Sequence, residues 1–141
     1  YMKNVFIDTN VLMDIFANRE PFVSNSLKIY TLGVDKKIKL YSTSNTIITL
    51  HYLLKRLISE EKIRMALNEI TRNIEIIPID GTIIKKSLKS SHKDFEDAIQ
   101  ITAAQSINTM SCIITRDLKN YKFSEINVFT PDEFLNTQLQ Q

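Results

Sequence analysis

Two glycines and three prolines in 141 residues leave little material for flexible linkers, and neither a low-complexity stretch nor an internal repeat interrupts the chain. That scarcity, with 43% hydrophobic residues and a length suited to one full core, predicts a single domain over residues 2–141, Tyr1 ahead of Met2 being read as a remnant outside it. The one cysteine, Cys112, sits in the apolar run SCIITR, so an intrachain disulfide is excluded and a small buried thiol is expected. No apolar run approaches the roughly 20 residues of a membrane span, and the start lacks a signal-peptide pattern. A soluble, cytoplasmic protein with no membrane partner is the expectation. Neither sign of charge dominates: a net charge of +2 and a pI of 8.6 neither demand nor exclude a nucleic-acid partner.

What the chain does have is an alternation of short apolar runs with amphipathic ones. NVFI (4–7), KLYST, IEIIPI, CIIT and NVF read as strands, the first of the type buried on both faces of a parallel sheet. Between them the periodicity predicts helices: one from Asn10 that closes at NREP, and a second with Val23, Leu27 and Tyr30 inward and Ile29 alongside, stopping at Gly33. Further helices are predicted over 45–57 and 59–72 (capped by Ser59), over 80–91, and over 94–107 with Ala98, Ile99, Ile101, Thr102 and Ala103 inward. TPDEFL predicts a last helix, with Thr130 as cap, Pro131 in first place and Glu133 closing a capping box. Such alternation implies an α/β fold with a parallel sheet covered on both sides.

Asp8 ends NVFID and Asp117 ends CIITRD, so a parallel sheet brings both to the edge where ligands bind in such folds. Asp97 lies in the first turn of the helix opened by KDFEDAIQ, and a crossover helix feeding CIIT starts at that same edge. Topology therefore permits the three acids to meet without requiring it. Carboxylates so grouped repel unless a cation joins them, and Mg²⁺ or Mn²⁺ suits hard oxygen ligands and assists displacement at phosphorus. Taken singly, each acid also has a plain structural role: Asp8 and Asp94 as helix caps, Asp97 as a first-turn acid, Asp117 as a turn residue.

Together FIDTNVLMD, DFEDAIQITAA and IITRD resemble the PIN-domain family of metal-dependent ribonucleases, which includes VapC-type toxins, over about Val5 to Pro131. The resemblance implies a three-layer α/β/α sandwich around a parallel sheet, and places Asp97 in one acidic pocket with Asp8 and Asp117. It makes these three the catalytic and metal-binding acids, matches Thr9 and Asn10 to polar residues beside the first acid, and leaves Asp94 and Glu96 as possible auxiliaries. One departure stands out. Where family members carry a glutamate on the helix after the second strand, this chain has Thr49, and no carboxylate occurs from Tyr41 to Ile58.

The implied activity is hydrolysis of RNA phosphodiester bonds with Mg²⁺ or Mn²⁺ as cofactor, the protein being a toxin of a toxin–antitoxin pair with an antitoxin partner and a homodimeric state. The alternative is a PIN-like domain of weak or no catalysis that binds RNA or protein, which the absent acid at Thr49 favours. For RNA contact the candidates are Arg116 and Lys119, flanking Asp117, and Lys93, which with Lys85 and Lys89 recurs every four residues as a basic helical stripe. Asp14 reads as a surface acid and His51 as a packed or surface residue. A haloacid-dehalogenase-like phosphatase is a weaker rival, because Asn10 stands where its second acid belongs. The apolar faces IITLHYLL and IRMALNEI suit the core better than a dimer.

Overall fold

A computed structural model describes residues 2–138; residues 139–141 of the expected domain lie outside the described residues. The elements run β1 (Lys3–Ile7), α1 (Thr9–Phe16), α2 (Val23–Val34), β2 (Ile38–Thr43), α3 (Ser44–Leu54), α4 (Glu60–Asn73), β3 (Ile74–Ile77), α5 (Gly81–Leu88), α6 (Phe95–Gln105), β4 (Met110–Ile114), β5 (Asn127–Phe129) and α7 (Pro131–Glu133). A 3-10 turn, Leu118–Tyr121, precedes β5, and a π-helical turn, Phe134–Gln138, follows α7.

The five strands pair in parallel in the order β3-β2-β1-β4-β5. The chain builds outward from β1 on one side, then crosses to build β4 and β5 on the other, so the order reverses between β1 and β4. That reversal opens a crevice beyond the carboxyl ends of these two strands, the place where open parallel sheets bind ligands. Strand alternation splits the core into two layers. Val5, Ile7, Leu40, Cys112 and Ile114 face α1 to α4 and Phe134, whereas Phe6, Tyr41 and Ile113 face α5, α6 and Tyr121. The α/β/α sandwich is thus a direct consequence of apolar strands that must be covered on both faces.

Caps mark several helix starts as the sequence predicts: Ser59 accepts from Lys62 N, Asp94 from Asp97 N, and Thr130 with Glu133 forms the capping box. Other expectations are corrected. On α2 it is Ser26 and Ile29 that are buried while Leu27 is exposed, because the helix packs with a rotated face. Gly33 does not stop α2; a Cβ there would collide with the Leu40 side chain, so glycine allows the helix to lie close on β2, and the chain turns at Lys36 with φ 58°. Helix α3 ends at Leu54, and its Ile48 and Tyr52 are exposed, as is Met65 on α4, while Leu50, Leu54, Ile63 and Ile70 enter the core. Helix α5 ends at Leu88, which breaks the expected lysine stripe: Lys89 is its C-cap and Lys93 lies beyond it.

Candidate active site

Asp8 stands directly after β1, its backbone N–H donating to Ile114 O of β4 at 2.9 Å, so the carboxylate is delivered to the switch-point crevice by the sheet itself. It is the N-cap of α1, but capping is a small part of its role. Oδ1 accepts from Thr9 N at 2.8 Å and Gln100 Nε2 at 3.3 Å; Oδ2 accepts from Thr115 Oγ1 at 2.8 Å and Asn10 Nδ2 at 3.4 Å. With 5% of its surface exposed, burial pushes its pKa up, and the bonds from Thr115 and Thr9 offset part of that.

A neutral network backs this acid. The buried Gln100 on α6 gives its Nε2 to Asp8 and to Thr46 Oγ1 (2.8 Å), while its Oε1 accepts from Thr43 Oγ1 at 2.6 Å. Thr46 in turn lies 2.9 Å from Thr9 Oγ1. These contacts link β1, β2, α3 and α6 at one point. Thr115, at the end of β4, ties Asp8 to the Asp117 backbone, whose N–H donates to its hydroxyl at 3.0 Å. The sequence reading missed Gln100, Thr43, Thr46 and Thr115; the available signal was a polar residue at the end of an apolar strand or on a buried helix face.

A pocket of about 250 Å³ in front of Asp8 is lined by Asn10, Asn45, Thr49, Glu96, Asp97 and Gln100, with Arg19 at its side. The structure thus brings Asp8, Asn10, Thr49, Glu96 and Asp97 together. Asp97 is half-buried and its pKa rises to about 7, through desolvation first and then the charges of Asp8, Asp94 and Asp117. Asp117 does not line this pocket; Asn120 Nδ2 holds its Oδ2 at 2.7 Å. Asp94 serves as the cap of α6, accepting from Asp97 N at 3.0 Å. Tyr121 is buried close to Asp8, and burial first, then the charges of Asp8 and Asp97, drive its pKa well above the ordinary phenol value.

The donor set is all oxygen, of the kind that suits a hard divalent cation, and the rise at Asp97 comes from burial first and from the neighbouring carboxylates second. Among the described residues, however, no three acid, histidine or cysteine side chains form a ready-made metal cage. The chemistry of the donors fits such an ion, with Asp8, Glu96 and Asp97 as the acids that line the pocket.

Two expectations shift at the periphery. Asp14 is not a surface acid: its side chain is fully buried, and Arg116 grips it through Nε and through Nη2 at 3.1 Å, with Arg19 Nη1 at 3.7 Å. Arg116, expected at an RNA surface, therefore directs its guanidinium to Asp14 and stacks on Phe22, 3.9 Å from the ring centroid. Lys93 and Lys119 share a neighbouring groove beside Asn120. His51 lies on the surface, with Nε2 2.8 Å from Glu60 Oε1.

Comparison with known proteins agrees with this architecture. A PIN-domain model matches residues 4–119. Ribonuclease VapC1 of Aquifex aeolicus (strain VF5) is 28% identical over 137 residues, spanning 94% of this chain and 93% of that protein. A chain of a toxin–antitoxin complex from Klebsiella pneumoniae superposes with a TM-score of 0.64 and 25% identity, over 90% of this chain and 97% of that one. VapBC-1 from nontypeable Haemophilus influenzae gives a TM-score of 0.68 at 16% identity, over 92% and 98% of the two chains, a likeness of fold. The pocket at the β1–β4 switch point lies within the matched region, and the chain belongs to the PIN-domain family.

Proposed function

We propose that this protein, as a single PIN-like domain over residues 2–141, is a divalent-metal-dependent endoribonuclease of the VapC type that hydrolyses RNA phosphodiester bonds. The observation that carries the reading is the meeting of Asp8 and Asp97 in one pocket, with the Asp117 charge close enough to help raise Asp97 to about 7. Asp8, Asp97 and Asp117 would hold Mg²⁺ or Mn²⁺, which when bound supplies Lewis-acid stabilisation of charge developing on the phosphate. The chain's own residues do the positioning. Gln100 and Thr115 fix the two oxygens of Asp8, Asn10 adds a bond to Oδ2, Asn120 fixes Asp117, and Thr49 lines the pocket as a neutral polar group. Glu96 adds negative charge at the rim, and Lys93 and Lys119 supply the positive surface an RNA backbone needs.

The relatives' descriptions as a ribonuclease VapC1 and as a toxin–antitoxin complex support a toxin role with an antitoxin partner; a cytoplasmic location and a homodimeric state complete the proposal. Asp8→Asn and Asp97→Asn should each abolish Mn²⁺-dependent cleavage of single-stranded RNA while leaving the fold intact by circular dichroism. Undiminished cleavage by either variant would remove the mechanism.

A second reading is favoured by Thr49, which lines the pocket where an acid is expected: a PIN domain that binds RNA or protein with little catalysis. Calorimetric titration with Mn²⁺ separates the two, since a binding module takes up no specific metal at Asp8 and Asp97.

A further inference from the structure

Downstream of Asp117 the 3-10 turn is anchored by the buried Tyr121, whose carbonyl accepts from Ser124 N at 3.0 Å. The next two side chains are held outward. Phe123 is 55% exposed, and Lys122 Nζ lies 5.0 Å from its ring centroid. Together with Lys93, Lys119 and Asn120 they line a small groove of about 20 Å³, room for little more than one water, so a ligand lies over it rather than in it. None of the three lysines is ion-paired among the described residues, and no acid lines the groove. Asn120 belongs to two places at once: it lines the groove, and its amide holds Asp117 at 2.7 Å. The groove is therefore continuous with the acids through one side chain.

We propose that the surface over this groove is a nucleotide subsite for single-stranded RNA, where Phe123 stacks one unpaired base and Lys93, Lys119 and Lys122 contact the flanking phosphates. This rests on the ribonuclease reading of the neighbouring pocket and specifies the form of its substrate. Phe123 belongs to neither core cluster, and the ring face away from Lys122 is what an unpaired base stacks on, whereas paired bases do not present theirs. Three cations around one ring match a polyanion better than an apolar protein surface.

The test is binding of a short fluorescein-labelled oligoadenylate to the full chain in EDTA, read by anisotropy. Phe123→Ala should weaken binding by about five- to one-hundred-fold, with Phe123→Leu equally weak and Phe123→Trp at least as tight as the wild type. Lys119→Ala with Lys122→Ala should lessen the salt slope by about 1.4, the share of two single-strand phosphate contacts. A duplex of the same length should bind without sensitivity to Phe123. The subsite is overturned if Phe123→Leu binds as the wild type does, since apolar cover alone would then suffice, or if the duplex depends equally on Phe123. Wild-type cleavage of RNA in Mn²⁺ with unchanged binding by Phe123→Ala removes the groove alone; a wild type that neither binds nor cleaves RNA removes the ribonuclease reading with it.

Discussion

Gln100 Nε2 lies 3.3 Å from Oδ1 of Asp8, so a neutral amide on α6 fixes one oxygen of the acid that ends β1. The same amide engages Thr46 and Thr43. Gln100→Leu would leave two threonine hydroxyls and one carboxylate oxygen short of partners in a dry site. The expected loss is about 1–3 kcal/mol, read from urea unfolding midpoints. Gln100→Glu should be worse at alkaline than at mildly acidic pH, because it sets a second carboxylate against Asp8.

The pKa of Asp97, about 7 in the fold against an ordinary 3.8, makes stability depend on pH in a definite direction. The folded state binds this proton more tightly than the unfolded chain does. Its contribution is therefore complete below the ordinary value and is lost as pH rises through about 7. Metal-free protein should show a urea midpoint that falls between about pH 4 and 7 and levels off above neutral. Asp97→Asn should flatten that fall, and an unchanged profile in the variant would contradict the assignment.

Thr49 faces the pocket from α3, at the position where PIN relatives were expected to carry an acid. Thr49→Glu would add a carboxylate to Asp8 and Asp97. Mn²⁺ affinity by calorimetry should then rise by about tenfold, equivalent to about 1.4 kcal/mol. Cleavage that rises with it would identify the threonine as the cause of weak metal uptake; affinity that stays flat would place the acid position elsewhere.

Arg116 and Asp14 form a buried pair, and truncating the arginine strands a carboxylate with only Arg19 nearby. Arg116→Ala should cost about 3 kcal/mol, whereas Lys119→Ala, at an exposed residue, should change stability by at most about 0.5 kcal/mol. Thermal melts of the two variants check this. A reduced RNA cleavage in Arg116→Ala would then track lost folded protein, and in Lys119→Ala lost binding.

The layers and the leading acids were legible from local chemistry. NVFI and CIIT are apolar on both faces and demand cover on both sides, and capping chemistry at Ser59, Asp94 and Thr130 is written within four residues. Asp8 at the end of a buried run was legible for the same reason. The rest depends on partners distant in the chain. Asp14 looks like any polar residue in an amphipathic helix until Arg116 arrives beside it from β4, and Gln100 looks like a solvent-facing interruption until the packing of α6 turns it toward Asp8. The lysine stripe failed because helix length is set by packing and by the turn after Leu88, which periodicity alone does not limit. Periodicity records which residues leave water; which buried polar groups meet one another is settled by strand order and helix rotation.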